Sequence, residues 1–166
     1  MGEGLKPDLL IQNIEELTFD FLGRQGLEGI IVDMDNTILP WVGKDIPQSI
    51  RQWFSGLQRR GIRFCILSNG TSRRVHKLAG TLGVPAISKA IKPRRKAFRR
   101  ALNLLGTTSS NTAVIGDQLF TDVWGGNRLD LFTILVSPLN KREFIGTMLV
   151  RQVEKWVLNR GRHRIS

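Results

Sequence analysis

An apolar run that ends in two carboxylates is the feature that most constrains how this chain folds. Residues 30–32 (Ile-Ile-Val) are too few for a typical helix, and Asp33 and Asp35 follow them closely. The pattern predicts a buried strand at about residues 29–33 with a polar tip. In open α/β sheets, ligands bind beyond the carboxyl ends of the strands. The alternative is a strand followed by an Asx turn, in which Asp33, Asp35 and Asn36 only cap backbone amides.

Similar apolar runs alternate with amphipathic segments along the rest of the chain. Further strands are predicted at about residues 63–67, 85–87, 112–115 and 131–136. Helices are predicted between them, where apolar residues recur at helical spacing from Ile46 to Leu57, from Val75 to Leu82 and from Phe98 to Leu105. Gly61 and Gly83 end the first two patterns, and a further short helix is predicted at about residues 121–129. Such alternation predicts an α/β fold of three layers, a Rossmann-type, mostly parallel sheet with helices on both faces.

The chain length predicts a single domain with a core of its own. A domain of 166 residues can bury a sizeable core. Leu10, Ile14, Leu17 and Phe21 recur at helical spacing and predict one or two short helices ahead of the first core strand. The predicted parts of the domain at 1–166 are a helical lead-in at 5–28, a core at about 29–136 and a C-terminal amphipathic helix at about 143–160.

The charge balance indicates an anionic partner. The net charge is +11 and the sequence pI is about 11.0, which suits a phosphoester, a nucleic acid or a membrane surface. No acidic residue occurs between Asp45 and Asp117, an interval that holds fourteen lysines and arginines. Cys65, the one cysteine, lies in an apolar run and is predicted to be a buried thiol. No run is apolar and long enough to span a membrane and no signal peptide is visible, which predicts a cytoplasmic or peripheral membrane protein.

Polar side chains fall at the ends of four predicted strands or in the loops that follow them. The carboxyl ends of parallel strands share one edge of a sheet, so we expect these side chains to meet in one cleft. Each has an ordinary alternative as a turn residue, a helix cap or a solvated cation. The side chains are Asp33, Asp35 and Thr37, then Ser68 and Asn69, then Lys92, then Asp117 and Asp122.

This combination of side chains matches the requirements of phosphoryl transfer. Asp33 is predicted to attack phosphorus and form an aspartyl-phosphate. Asp35 is predicted to protonate the leaving oxygen and later to activate water. Lys92 can neutralise developing negative charge and hold Asp33.

The remaining polar side chains are predicted to bind the substrate and a metal. Ser68, Asn69 and Thr37 are the candidates that bind the phosphoryl group. Carboxylates repel a phosphate unless a cation lies between them, and ligands that are all oxygen suit Mg²⁺. The predicted metal ligands are Asp33, Asp35, Asp117 and Asp122.

The same stretches resemble the four motifs of the haloacid dehalogenase (HAD) superfamily of Mg²⁺-dependent phosphatases. They are Asp33-Met-Asp35-Asn-Thr37, Leu67-Ser68-Asn69, Lys92-Pro93 and Gly116-Asp117-Gln-Leu-Phe-Thr-Asp122. A closer match is the YqeG-like subfamily, which is similar to the phosphatidylglycerophosphate phosphatases. The stretches that resemble it are residues 33–41, 92–98, 116–123 and 125–128. The resemblance implies that Asp33 is the nucleophile, Asp35 the acid/base, Lys92 the motif-three lysine and Asp117 the principal metal ligand. It also implies phosphatidylglycerophosphate as substrate.

The chain leaves no room for a cap domain over the site. Residues 38–62 accommodate one loop and one helix, and residues 70–91 a helix and a short strand. An open site suits a phosphate carried on something large, and the basic surface suits an anionic membrane. The loop of Leu39, Pro40 and Trp41 and the helix around Trp156 are candidate lipid contacts. The alternatives are a phosphatase for a nucleic-acid end or a small ester, a scaffold whose phosphatase site has become a binding site, and a basic nucleic-acid-binding protein.

Overall fold

Six parallel strands form one sheet, and their order decides which loops meet. The computed structural model of the chain describes residues 3–39 and 45–139. The strands lie in the order β1-β6-β5-β2-β3-β4, and each of the five pairings is parallel. The predicted α/β fold is therefore confirmed. The strands are β1 (Leu9–Ile11), β2 (Gly29–Val32), β3 (Arg63–Leu67), β4 (Ala86–Ile87), β5 (Thr112–Gly116) and β6 (Phe132–Val136).

Helices connect the strands and follow the predicted pattern closely. Gly83 and Gly106 end the helices at Ser72–Leu82 and Arg95–Leu105 in the left-handed conformation, at φ 67° and 63°, which glycine adopts without strain. Within residues 3–39 and 45–139, no helix is long and apolar enough to cross a membrane. The helices are α1 (Phe19–Arg24), α2 (Gln48–Arg59), α3 (Ser72–Leu82), α4 (Arg95–Leu105) and α5 (Trp124–Asn127).

The central strand β2 packs against helices on both faces because its side chains alternate. Ile30 and Val32 belong to one apolar cluster with Phe54 of α2, whereas Ile31 belongs to another with Phe98 of α4. All three β2 side chains are fully buried, and burial of each contributes about 1.5–3 kcal/mol to stability. The sheet is thus the middle of three layers, as the sequence predicted.

The prediction that the lead-in is purely helical is wrong in one part. Residues Leu9–Ile11 form the edge strand β1, which pairs with β6, and Leu10 is exposed instead of lying on a buried helical face. Asp8 ties this strand to the sheet, since its N–H donates to the Thr133 carbonyl at 2.9 Å and its carboxylate accepts from the Thr133 N–H at 2.8 Å. A partner 125 residues away overrides local helical spacing.

The segment after β5 departs from the short helix predicted at about residues 121–129. It begins earlier, as a π-helical turn at Leu119–Val123 that leads into α5. The N–H of Asp122 donates to the Gln118 carbonyl at 3.0 Å, which turns the chain back towards the end of β5. This turn brings Asp122 close to the sheet edge.

The strand order creates a crevice beside β2. From β2 the chain proceeds to β3 and β4 on one side, whereas β5 and β6 lie on the other side. Connections that leave neighbouring strands in opposite directions open a cleft at their carboxyl ends. The cleft lies between the residues that follow β2 and those that follow β5. Earlier predictions for Pro40, Trp41 and the helix at 143–160 concern residues outside the described ranges.

Candidate active site

The backbone after β2 fixes the position of Asp33 and turns sharply beyond it. The Asp33 N–H donates to the Ile115 carbonyl at 2.9 Å, so the residue still belongs to the sheet ladder. The N–H groups of Ile38 and Leu39 then donate to the Met34 carbonyl, and Asn36 has φ 58°. Such a turn keeps the Asp33 side chain at the edge of the sheet, where it is buried but for 7% of its surface.

Lys92 is not a solvated cation but the centre of a buried ionic cluster. Its Nζ donates to Asp33 Oδ1 at 2.6 Å and to Asp122 Oδ1 at 2.7 Å. Burial alone lowers the pKa of Lys92, yet the two carboxylates, Asp122 foremost, outweigh it and leave this pKa above its ordinary value. The ammonium is therefore charged at any pH near neutrality and orients Asp33.

Asn69 holds Lys92 in place through its backbone. The Lys92 N–H donates to Asn69 Oδ1 at 2.8 Å, and Asn69 Nδ2 donates to the Lys92 carbonyl at 3.4 Å. The sequence assigned Asn69 to substrate binding, but the described contacts make it a clamp between the loop after β3 and the loop before α4. The carbonyl oxygen and one N–H of its amide are paired there, and its role in substrate binding stays a prediction.

The two hydroxyls predicted to bind phosphate are both buried near the site. Ser68 Oγ accepts from the Gly70 N–H at 3.0 Å, which leaves its own proton to donate. Thr37 Oγ1 has no hydrogen-bond partner among the described residues, although the side chain is almost fully buried. A Cβ added at Gly70 would lie 3.1 Å from Ser68 Oγ and 3.6 Å from Asp35 Oδ2, so all three residues border one small space.

Three carboxylates converge beside Lys92. One oxygen each from Asp33, Asp117 and Asp122 lies within 4.8 Å of the others, and all three residues are buried. Burial is the largest cause that raises the pKa of Asp117, and with the charges of Asp33 and Asp122 it brings this pKa to about 8. Burial also raises the pKa of Asp122, to about 6, against the opposing effect of Lys92.

These carboxylates fit a divalent cation. Asp117 Oδ1 is buried and has no hydrogen-bond partner among the described residues, so a negative charge on this carboxylate would need a cation beside it. Several buried oxygen ligands with excess negative charge are the donor set that a hard cation prefers. The other oxygen of Asp122, Oδ2, accepts from the Gln118 N–H at 3.2 Å. Gly116 is required here, because a Cβ would overlap the Asp122 carboxylate.

Asp35 stands apart from the acidic cluster. The sequence predicted it as a fourth metal ligand, but its carboxylate is not among the three that converge, and Oδ1 forms an ion pair with Arg74 at 2.5 Å. Burial raises the pKa of Asp35, and Arg74 acts in the opposite direction. The Asp35 carboxylate therefore lies outside the acidic cluster, and its role in proton transfer stays a prediction.

Sequence reasoning missed two residues of the site. Arg74 was one of fourteen cations in an acid-free interval, and nothing in its neighbourhood distinguished it. Gly116 could have been found, since a glycine between an apolar strand and Asp117 indicates a close approach of another group.

Comparison with known proteins identifies the family. A sequence profile for hydrolase-like proteins, described as HAD-hydrolase-like, matches residues 90–138. The chain is 40% identical over 153 residues to Probable phosphatase YqeG of Bacillus subtilis (strain 168), covering 92% of this chain and 89% of that protein. It is 24% identical over 164 residues to Phosphatidylglycerophosphate phosphatase 1, chloroplastic/mitochondrial, of Arabidopsis thaliana, covering 90% of this chain and 45% of that protein.

Solved structures agree on the fold. The 3-deoxy-D-manno-octulosonate 8-phosphate phosphatase of Yersinia pestis superposes with a TM-score of 0.55 at 16% identity, covering 85% of this chain and 86% of that one. Sheet order, acidic cleft and profile match define a hydrolase of the HAD superfamily. Within that superfamily, the chain belongs to the YqeG-like family of phosphatases.

Proposed function

We propose that this protein is a Mg²⁺-dependent phosphomonoester hydrolase that works through an aspartyl-phosphate on Asp33. One observation carries the proposal: the Asp33 carboxylate is buried at the cleft, oriented by Lys92 at 2.6 Å and adjacent to two further carboxylates. A carboxylate that a lysine holds in one orientation at a cleft is suited to act as a nucleophile, because attack on phosphorus requires a fixed approach.

In the first step, Asp33 attacks phosphorus and the bond from phosphorus to the leaving alcohol oxygen breaks. Asp35 gives its proton to that oxygen, so the product leaves as a neutral alcohol. Burial raises the pKa of Asp35, which favours the protonated form that this step needs. Ser68 donates its hydroxyl proton to a phosphoryl oxygen, and the Lys92 ammonium offsets the developing negative charge.

In the second step, water hydrolyses the aspartyl-phosphate. Asp35, now a carboxylate, takes a proton from the water as its oxygen attacks phosphorus, and the bond between phosphorus and Asp33 breaks. Inorganic phosphate leaves, and Asp33 and protonated Asp35 are restored. Arg74 stabilises the charged form of Asp35 between the two steps through their ion pair.

Asp33, Asp117 and Asp122 are the residues that would hold the metal. A bound Mg²⁺ supplies Lewis-acid polarisation of the phosphoryl oxygens and lets a dianionic phosphate approach a cluster of carboxylates. Burial is the main cause of the raised pKa values of Asp117 and Asp122, and neighbouring carboxylates add to both, an effect that a bound cation would offset.

The proposed substrate is a lipid phosphate, with phosphatidylglycerophosphate as the first candidate. Support comes from the name of the Arabidopsis relative, of whose length this chain spans 45%, and from the net charge of +11. A basic protein is drawn to an anionic membrane, where such a lipid resides. We include in this proposal a single domain without a cap, acting at a membrane surface.

A phosphate-release assay tests this function. Wild type, Asp33→Asn and the control Asp130→Asn are compared on phosphatidylglycerophosphate in mixed micelles. The control changes an exposed carboxylate in the turn that follows α5. We expect Mg²⁺-dependent release by wild type and control and only background release by Asp33→Asn. Acid quenching followed by mass spectrometry should place a phosphoryl group on the peptide that contains Asp33.

Two further substrates allow the enzyme activity and the identity of the substrate to be tested independently. If no phosphomonoester, including p-nitrophenyl phosphate and a 5′-phosphorylated oligonucleotide, is hydrolysed with Mg²⁺, the proposed enzyme activity is refuted. Hydrolysis of either of those esters without hydrolysis of the lipid refutes the lipid substrate alone. Preference for the oligonucleotide would favour the nucleic-acid-end phosphatase considered from the sequence.

A further inference from the structure

Three large apolar side chains are exposed around the candidate active site. Ile91, Phe120 and Leu139 expose 58%, 41% and 39% of their surface. They lie in the segments that follow β4, β5 and β6, and the carboxyl ends of these parallel strands share one edge of the sheet. These three residues, called here the apolar rim, therefore lie in loops at the edge of the sheet that carries the cleft.

Each member of the apolar rim is anchored to a residue of the site. Ile91 precedes Lys92 directly, and Phe120 lies in the π-helical turn between Asp117 and Asp122. The Leu139 N–H donates to the Asn36 carbonyl at 3.0 Å, which ties that residue to the turn after Asp33. The rim is thus held in a fixed relation to the nucleophile.

Ile91 occupies a backbone conformation that its side chain disfavours. Its φ is 58°, a value that is rare for β-branched residues and costs energy. Strain of this kind is usually tolerated where it serves a site, and here the side chain gains no compensating burial, since most of it is exposed. An exposed isoleucine held in a strained turn indicates that an apolar group is required at this place.

Cations stand at the starts of two helices at the same edge of the sheet, in positions that the helix dipole disfavours. The first turns of α3 and α4 contain no acidic residue, although the positive end of a helix dipole favours acids there. Instead Arg73 begins the exposed face of α3, and Arg94 and Arg95 begin α4, with exposed Lys89 nearby in the chain. Both helices start at the edge that carries the site. An exposed acid, Asp45, precedes α2 at the same edge.

We propose that the apolar rim and these cations form a docking surface for the leaflet of an anionic phospholipid membrane. Separate apolar side chains within a basic surface suit insertion between lipid headgroups, whereas a partner protein needs a continuous apolar patch. A nucleic acid would use the cations but not exposed aliphatic groups. Leu39, which the sequence offered as a lipid contact, is buried and has no part in this surface. This inference rests on the proposed function in one respect, namely that the substrate phosphate is carried by a membrane lipid.

Vesicle sedimentation of the full chain tests the apolar rim. Vesicles of phosphatidylcholine with phosphatidylglycerol are compared with vesicles of phosphatidylcholine alone. In the double variant Ile91→Asn/Phe120→Gln, the asparagine tolerates the positive φ, so the fold is retained. We expect partition to weaken about tenfold, because two apolar contacts with the membrane are lost. The control Leu104→Gln changes a side chain that is 49% exposed near the end of α4, at the opposite edge, and should bind like wild type.

A second pair of variants tests the cations. Arg94→Gln/Arg95→Gln removes two charges at the start of α4, and Arg99→Gln/Arg100→Gln removes two exposed charges further along the same helix. At low salt, Arg94→Gln/Arg95→Gln should bind anionic vesicles about fivefold more weakly for each cation lost. The loss of binding in Arg99→Gln/Arg100→Gln should be much smaller. High salt should reduce the difference between them.

Several results would overturn the docking surface. It is wrong if the apolar double variant, with wild-type circular dichroism and wild-type turnover of p-nitrophenyl phosphate, binds vesicles as tightly as wild type. It is also wrong if Leu104→Gln weakens vesicle binding as much as the apolar double variant does. A third contrary result is that an oligonucleotide displaces the vesicles while substitutions in the apolar rim leave vesicle binding unchanged.

The docking surface and the proposed function fail in different ways. Vesicle binding with the expected variant pattern, but without any phosphatase activity, supports the docking surface and refutes the function. Hydrolysis of phosphatidylglycerophosphate in micelles, combined with vesicle binding that no rim variant changes, supports the function and refutes the docking surface.

Discussion

Neutralising Asp117 should stabilise the protein when no divalent cation is bound. The Asp117 carboxylate is buried against Asp33 and Asp122, and burial is the main reason that its pKa rises to about 8. In the unfolded chain the same carboxyl loses its proton near pH 4. Between these two pH values the folded state holds a proton that the unfolded state has released, so stability falls as the pH rises.

The size of the effect follows from the pKa of Asp117. Neutral pH lies about three pH units above the pKa of the unfolded chain, and each unit corresponds to about 1.4 kcal/mol, which gives an upper limit of about 4 kcal/mol. Relaxation of the cluster and entry of water reduce this cost. We expect Asp117→Asn, which keeps the shape and removes the charge, to gain about 1–3 kcal/mol in the free energy of unfolding.

Thermal denaturation in EDTA, followed by circular dichroism, measures this gain. For a chain of this length, the expected gain raises the Tm by about 2–12 °C at pH 7. The wild-type Tm should rise on going from pH 8 to pH 6, and the variant should show less of this pH dependence. Excess Mg²⁺ should raise the Tm of wild type and not that of Asp117→Asn, because a ligand stabilises only the state that binds it.

The matched control is Asp130→Asn. Asp130 is exposed and has φ 56°, a conformation that asparagine tolerates, so its Tm should match wild type with and without Mg²⁺. A lower Tm for Asp117→Asn than for wild type in EDTA at pH 7 would refute the argument, because the buried carboxylate would then be a net stabilising group. An equal Mg²⁺ response of the two proteins would remove Asp117 from the metal site.

Two further changes test the surroundings of the cluster. Arg74→Gln should move the pH–rate profile for phosphate release to higher pH and lower kcat, because the arginine holds down the pKa of Asp35. As a control, Arg73→Gln changes an exposed neighbouring arginine and should leave the profile unchanged. A profile unchanged by Arg74→Gln contradicts the role of Asp35. Gly116→Ala should abolish the Mg²⁺-dependent rise in Tm, because the new Cβ would displace the Asp122 carboxylate. The control Gly80→Ala has open space around the new Cβ and should increase the free energy of unfolding by about 1 kcal/mol. A normal Mg²⁺ response in Gly116→Ala would contradict the geometry of the cluster.

The fold was predictable from the sequence to the extent that local patterns decide it. Buried parallel strands read as short continuous apolar runs, and the amphipathic helices between them show clear spacing, so β2 to β6 and α2 to α4 match their predictions within a few residues. The edge strand β1 was not predicted, because its three residues have no strand pattern of their own and are held in place by pairing with β6. The π-helical turn after β5 was not predicted for a similar reason, since packing against the sheet edge decides where it begins.

The sequence by itself determined which residue types meet at the site, because strands that run in parallel bring their ends to one edge. It therefore grouped Asp33, Lys92, Asp117 and Asp122 correctly. Only the tertiary structure decided what each remaining side chain contacts there. It separated Asp35 from the acidic cluster and paired it with Arg74, since such pairings depend on distances of a few ångströms between groups far apart in the chain.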